Sequence, residues 1–137
     1  MTPTSLATSA PGSLLGPAFA HALARRDFEQ VISLLCPDVD FGALTPRRTW
    51  AAANAEETVG VLRGWFDDST VVEEVIDVHA DAVADRHTVT YRFAGERSQG
   101  SFVIEQHAYF SARDGRIGWM RLICSGFRAD VGASPRP

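Results

Sequence analysis

The sequence predicts an α+β domain in which three N-terminal helices pack on the concave face of a strongly curved, mostly antiparallel sheet of four to five strands. Three observations carry this prediction. Apolar residues recur at helical spacing as far as about Asp67, and beyond Asp68 the period changes to the every-second-residue alternation of strands. Asp114-Gly115 stands between two long apolar-rich segments, where a two-residue type I′ turn needs positive φ at both positions. A run of helices followed by a run of strands gives an α+β layering. Strand twist curls such a sheet into a cone, the helices cover its hollow side, and one mouth stays open as a pocket.

The first helix is expected over Leu14 to Arg26, where Leu15, Ala18, Phe19, Ala22 and Leu23 make one apolar stripe and Pro17 fits the first turn. Asp27 is placed to cap a second, short helix from Phe28 to Leu35, which Pro37 stops. A short strand is expected at Val39 to Leu44. Asn54 then caps a third helix, with Glu57 at the capping-box position, carrying Val59, Leu62, Trp65 and Phe66 inward. In the strand Val71 to Ala84, the residues Val72, Ile76, Val78, Ala80 and Ala82 lie on one side and Glu73, Asp77, His79 and Asp81 on the other. Asp85-Arg86 makes a turn, His87 to Phe93 the next strand, and Gly95 to Gly100 leads to the hairpin Ser101 to Arg128.

Composition narrows the function. The net charge is −4 and the 13 basic residues are all arginine, so the chain carries no electrostatic footprint for nucleic acid or an anionic membrane. Without lysine there is no Schiff base, lysine nucleophile or phosphate-loop lysine. No apolar run reaches transmembrane length. Cys36 and Cys124 lie far apart and outside any metal-ligand spacing, and they read as free, reduced thiols. No two histidines have chelating spacing, so no metal site is expected, and no glycine-rich loop implies a nucleotide cofactor. Residues 1–13 read as a disordered leader rather than a signal peptide, 14–130 as one domain and 131–137 as a tail, which places the protein in the cytoplasm.

The turn also predicts a hairpin register. With Arg113 opposite Arg116, Tyr109 faces Met120, His107 faces Leu122 and Glu105 faces Cys124, all on one side of the hairpin. An acid, an imidazole and a phenol then line up beside apolar partners, as in a small-molecule site. An imidazole is the side chain suited to moving protons near neutral pH, which makes His107 the first candidate. Glu105 can orient it or act as an acid itself, and Tyr109 can donate to a developing oxyanion. The bland alternatives are a core histidine, an ion pair between Glu105 and Arg92, and a tyrosine with its hydroxyl at the rim. The opposite side of the hairpin holds Phe102, Ile104, Ala108, Phe110, Ile117, Trp119, Ile123 and Phe127, with Gln106 and Arg121 among them, and is the more apolar of the two.

The stretch Phe19-Ala-His-Ala-Leu-Ala-Arg-Arg-Asp27-Phe28, the stretch Leu34-Leu-Cys-Pro-Asp-Val-Asp-Phe41 and the turn Asp114-Gly115-Arg116-Ile117 resemble the nuclear transport factor 2-like superfamily over roughly residues 14 to 130. The resemblance implies the cone fold, and function only broadly, because the superfamily includes ketosteroid isomerase-like, polyketide cyclase-like, limonene epoxide hydrolase-like and scytalone dehydratase-like enzymes as well as binding proteins. Against the isomerase-like pattern, Phe19 stands where a tyrosine is expected and Ala43 where the general-base aspartate is expected. The second acid maps by distance from Gly115 onto His107. Against the epoxide hydrolase-like pattern, Arg92 and Glu105 supply one arginine–acid pair.

The resemblance places His107 and Cys124 in the pocket, and Met120, Leu122 and Cys124 are poor choices for solvent. The polar row is therefore expected inside, with the apolar row buried by a second subunit in a homodimer through the sheet. Phe19, Trp50, Trp65, Arg92, Met120, Leu122 and Cys124 would line the substrate. The expected function is a cofactor-independent enzyme, of isomerase, cyclase, dehydratase or epoxide-hydrolase-like type, acting on an apolar polyketide- or terpenoid-like compound by general acid/base chemistry through His107, Glu105 and Tyr109. The alternative is a non-catalytic ligand-binding or dimerisation module of the same fold.

Overall fold

The computed structural model describes residues 12–130. The helices are α1 (Gly12–Ala24), α2 (Phe28–Ser33) and α3 (Ala55–Trp65), and the strands are β1 (Leu35–Thr45), β2 (Arg48–Ala52), β3 (Val71–Val83), β4 (Arg86–Arg97), β5 (Gly100–Arg113), β6 (Arg116–Cys124) and β7 (Arg128–Ala129). The expected leader and tail lie outside the described residues, except that Gly12 and Ser13 belong to α1. Because α1 starts two residues early, Pro17 falls inside the helix rather than in its first turn.

The strands form one curved, unclosed seven-stranded sheet in the order β2-β1-β6-β5-β4-β3, with β7 added beside β5. All neighbours are antiparallel except β1 and β6. The sheet exceeds the expected four to five strands because β2 and β7 are too short to leave a periodicity. In addition, β1 runs back through Pro37 to Leu35, with an irregular register between Leu35 and Asp40.

Local chemistry accounts for the joints. Asp27 accepts the Gln30 N–H at 3.1 Å and opens α2. Asn54 accepts the Glu57 N–H at 2.8 Å while Glu57 reaches back to the Ala53 N–H at 3.0 Å, a reciprocal box that starts α3. Asp114 and Gly115 have φ of 56° and 76°, as a type I′ turn requires. The turn before β4 is Ala84-Asp85, one residue earlier than the expected Asp85-Arg86.

Bulges decide which side chains face inward. In β3, pairing jumps between Val72 and Glu74 and again between Val75 and Asp77. Val75 therefore opposes Phe93 and is half-buried, while Ile76, expected inward, is exposed. Gly95 makes room at the first of these bulges, since a Cβ there would sit 1.9 Å from the Val71 carbonyl oxygen.

The bulge between β5 and β6 corrects the central expectation. Ser111 opposes Trp119 and Ala112 opposes Ile117, so Gly118 is an extra residue. Beyond it Phe110 opposes Met120, Ala108 opposes Leu122 and Gln106 opposes Cys124. The apolar row of β5 and the Met120, Leu122, Cys124 row of β6 thus share the concave face and are all buried. Glu105, His107 and Tyr109 face outward beside Arg121 and Ile123. Of the face assigned to a second subunit, the β5 row Phe102, Ile104, Ala108 and Phe110 is the protein's own core, while Arg121 and Ile123 of β6 stay outside.

That core fills the cone. Helix α1 contributes Leu15, Phe19 and Leu23, and α3 contributes Val59, Leu62 and Trp65. They pack against Phe41, Val89, Phe93, Ile104, Phe110 and Leu122 of the sheet, all buried. Each such side chain stabilises the fold by about 1.5–3 kcal/mol through area removed from water.

Candidate functional site

Inside the cone, polar chemistry converges at one place. Tyr91, on the inward face of β4 between Val89 and Phe93, is 1 % exposed, and Gln106 on β5 is fully buried. The Tyr91 hydroxyl donates to Gln106 Oε1 at 2.5 Å. The Gln106 amide in turn donates to Cys124 Sγ on β6 at 3.2 Å, and the Gly126 N–H donates to the same sulfur at 3.2 Å. Three adjacent strands thus supply a phenol, an amide and a thiol in one chain of hydrogen bonds. Burial pushes the Tyr91 phenol well above its ordinary value, and the nearby Cys124 adds to the shift. The phenol is held neutral, which makes it a hydrogen-bond donor and not a base. Among the described residues Thr58, Thr70, Thr88, Gln106, Tyr91 and the Trp65 indole are the buried polar side chains; no Asp, Glu, His or Arg is wholly buried. Half-buried His87, on the concave row of β4 with Tyr91, stacks on Phe110 at 5.3 Å, with its Nδ1 buried and without a partner among the described residues.

Aromatic rings wall this chain in. Phe19 and Tyr91 have ring centroids 6.3 Å apart, and Phe93 stacks on Tyr91 at 5.0 Å. Trp65 meets Phe41 at 6.4 Å and the edge of Trp50 at 5.6 Å. Trp50 is half-buried, anchored by its indole N–H on Thr45 Oγ1 at 3.0 Å, whereas the Trp65 indole N–H is buried without a partner among the described residues.

The convex face holds the residues that the predicted register had placed inside. Arg92 pairs with Glu105, its Nε and Nη2 at 3.0 and 2.5 Å from the same oxygen, and both side chains are about half exposed at 53 % and 44 %. This is the ion pair named as the bland alternative. His107 Nδ1 hydrogen-bonds Thr90 Oγ1, and its ring meets Tyr109 edge-on at 5.0 Å. Tyr109 is 43 % exposed. The structure therefore keeps Glu105, His107 and Tyr109 together but outside the cone, and Arg92 with them. Of the expected lining residues, Phe19, Trp65, Met120, Leu122 and Cys124 are buried inside, and Trp50 stands at the rim. Sequence reasoning missed Tyr91 and Gln106. The signal was there for Gln106: a lone amide within the apolar alternation of β5, where a solvent-facing strand row would carry several polar residues.

No protein-family model matches the chain, and no curated protein matches it. Solved structures do. A proposed polyketide cyclase from Xanthomonas campestris pv. campestris superposes with a TM-score of 0.63 at 20 % identity, over 80 % of this chain and 86 % of that one. An LEH-like epoxide hydrolase from M. tuberculosis gives 0.61 at 18 % identity, over 82 % and 81 %. A proposed isomerase from Bacillus subtilis gives 0.70 at 11 % identity, over 82 % and 84 %. The chain has the nuclear transport factor 2-like fold. At these identities the likeness shows the fold alone.

Within the nuclear transport factor 2-like cone, the positions counted from isomerase-like members can now be located. Phe19 and Ala43 are buried on the concave side, without a phenol or a carboxylate. His107 misses the concave face by one residue, and Gln106 occupies it. A phenol is nevertheless present beside Phe19, delivered from β4 by Tyr91. No described helix is long and apolar enough to cross a membrane.

Proposed function

We propose that this protein acts on a small, mostly apolar organic compound, held in the cone with one oxygen function against Tyr91 and Gln106. The observation that carries this reading is the buried Tyr91–Gln106–Cys124 chain, the polar focus of an otherwise aromatic interior. Ionisable groups in apolar surroundings are where binding and catalysis concentrate. A phenol kept neutral by burial can stabilise negative charge developing on a carbonyl or epoxide oxygen once its single O–H turns from Gln106 Oε1 to the substrate, a role typically worth about 10²- to 10³-fold in rate. The reaction class is isomerisation, cyclisation or related chemistry by side chains alone, on a polyketide- or terpenoid-like skeleton. Because the core fills the cone, binding there requires side chains that pack on Tyr91, such as Phe19 and Phe93, to move aside.

A second reading, ligand binding without turnover, is favoured by a specific fact: no carboxylate is among the described buried side chains, and the imidazole on the concave row of β4, His87, is half-buried and stacked on Phe110 rather than hydrogen-bonded to the Tyr91–Gln106–Cys124 chain. The two free thiols support a reducing compartment such as the cytoplasm. Homodimerisation through the sheet would use the convex strip of Leu44, Tyr109 and Ile123, which is exposed.

Thermal-shift screening with cyclic ketones, epoxides and their deoxygenated analogues tests the reading, because a ligand of the folded state raises its stability. Oxygenated compounds should raise Tm in the wild type and do so less in Tyr91→Phe. A bound compound recovered unchanged selects the second reading over the first. Binding that Tyr91→Phe and Gln106→Leu leave untouched would remove the cone from the argument.

A further inference from the structure

Away from the cone, a cleft of about 570 Å³ lies where the end of α2, the start of β1, the start of α3 and the first residue of β6 meet. Ile32, Leu35, Pro37 and Ala55 give it an apolar floor, and Asn54, Glu56 and Arg116 stand around it. That volume falls in the range of ligand sites, about 300–1,000 Å³. The floor is fixed by the fold, since Leu35 and Ala55 are 1 % and 6 % exposed.

The polar groups around the cleft hold unused donors. The Arg116 side chain has no ion pair or hydrogen bond among the described residues, whereas the neighbouring Arg113 is committed to Asp38 and Arg121 to Asp40. Asn54 spends its side-chain oxygen on the Glu57 N–H, which leaves its amide nitrogen, with two N–H groups, without a partner. A guanidinium and a primary amide beside an apolar floor match the planar acceptor of a carboxylate carrying a hydrocarbon body. Glu56 places a negative charge at the same cleft, which disfavours a second negative charge on the ligand.

We propose that this cleft is a binding site for organic monocarboxylates with an aryl or alkyl body, separate from the cone and independent of what the cone does. The carboxylate pairs with Arg116 and the Asn54 amide, and the body lies on Ile32, Leu35, Pro37 and Ala55.

The test is a titration of the full chain with 4-phenylbutyrate, followed by calorimetry and by backbone NMR shifts, beside 4-phenylbutanol and phenylsuccinate. The expected result is saturable 1:1 binding of 4-phenylbutyrate with shifts centred on residues 32–37 and 54–56. The alcohol and the dicarboxylate should bind at least several-fold more weakly. Arg116→Gln, an exposed change, should weaken 4-phenylbutyrate about tenfold, the scale of one charge-assisted hydrogen bond. Asn54→Asp keeps the helix-capping oxygen but removes the amide donors, and should weaken it further. Tyr91→Phe should leave it unchanged. Absence of saturable binding at millimolar ligand, equal affinity in Arg116→Gln, or shifts centred on the cone would each overturn the proposal.

Discussion

The two faces of the β5–β6 hairpin differ in almost everything but their sequence neighbourhood. The concave face carries Phe102, Ile104, Ala108, Phe110, Met120 and Leu122, and its polar groups, Gln106 and Cys124, bond each other. The convex face carries Glu105, His107, Tyr109, Arg121 and Ile123, and its bonds are cross-strand pairs open to solvent. Adjacent residues on one strand thus differ in function because a strand alternates, and the phase of that alternation changes at Gly118. The lesson is that a chemically attractive row of side chains is not a site until its face is known. Glu105, His107 and Tyr109 do form a contiguous row, but in water. The less conspicuous Tyr91 and Gln106 meet where water is excluded.

The contrast can be broken most severely at the bulge. Deleting Gly118 restores regular pairing and turns one of the two inward rows outward. The expected result is loss of the cooperative unfolding transition in calorimetry. Gly118→Ala should fold normally, because an added Cβ would lie at an ordinary contact distance of 3.5 Å from Cys36 Sγ. The extra position matters here, and not the glycine. A native-like deletion variant would show that side-chain burial alone sets the register.

Truncations come next in size. Phe110→Ala on the concave face should cost about 3–5 kcal/mol in urea titration, whereas Ile123→Ala on the convex face should stay within about 1 kcal/mol. Comparable losses would mean that the convex face is covered in solution, and light scattering would then show a dimer.

The polar pairs give a smaller but sharper comparison. Gln106→Ala leaves the buried Tyr91 hydroxyl without its acceptor and should cost about 1–3 kcal/mol. Glu105→Gln breaks an ion pair that is about half exposed, and should cost no more than about 1 kcal/mol, less at high salt.

The last effect is a pH dependence. The folded-state value of Tyr91 is raised above its unfolded value near 10.0. Its contribution is therefore complete below that pH and is lost as pH climbs from the unfolded value through the folded one. Alkaline unfolding followed by circular dichroism and phenolate absorbance should be less steep in Tyr91→Phe. Equal steepness would place Tyr91 in contact with water.

Much of this fold was legible in the chain. The caps at Asp27 and Asn54, the helical stripes and the Asp114-Gly115 turn are local signals, written in residues that touch one another along the sequence. The switch from helical to strand periodicity after Asp68 was legible too, and with the resemblance it identified the cone, although β1 and β2 come before α3. What the sequence could not carry were the bulges at Glu73, Ile76 and Gly118. A bulge is an extra residue relative to a partner strand, so it exists only once two strands are paired. Each bulge inverts the inward–outward pattern that a single-strand reading extends unchanged. The apolar row of β5 and the Met120–Cys124 row of β6 each looked like the core, and a regular register forced a choice between them. The tertiary structure needed no choice, because one unpaired residue at Gly118 lets both rows point inward, and hydrophobic burial on both strands holds it there.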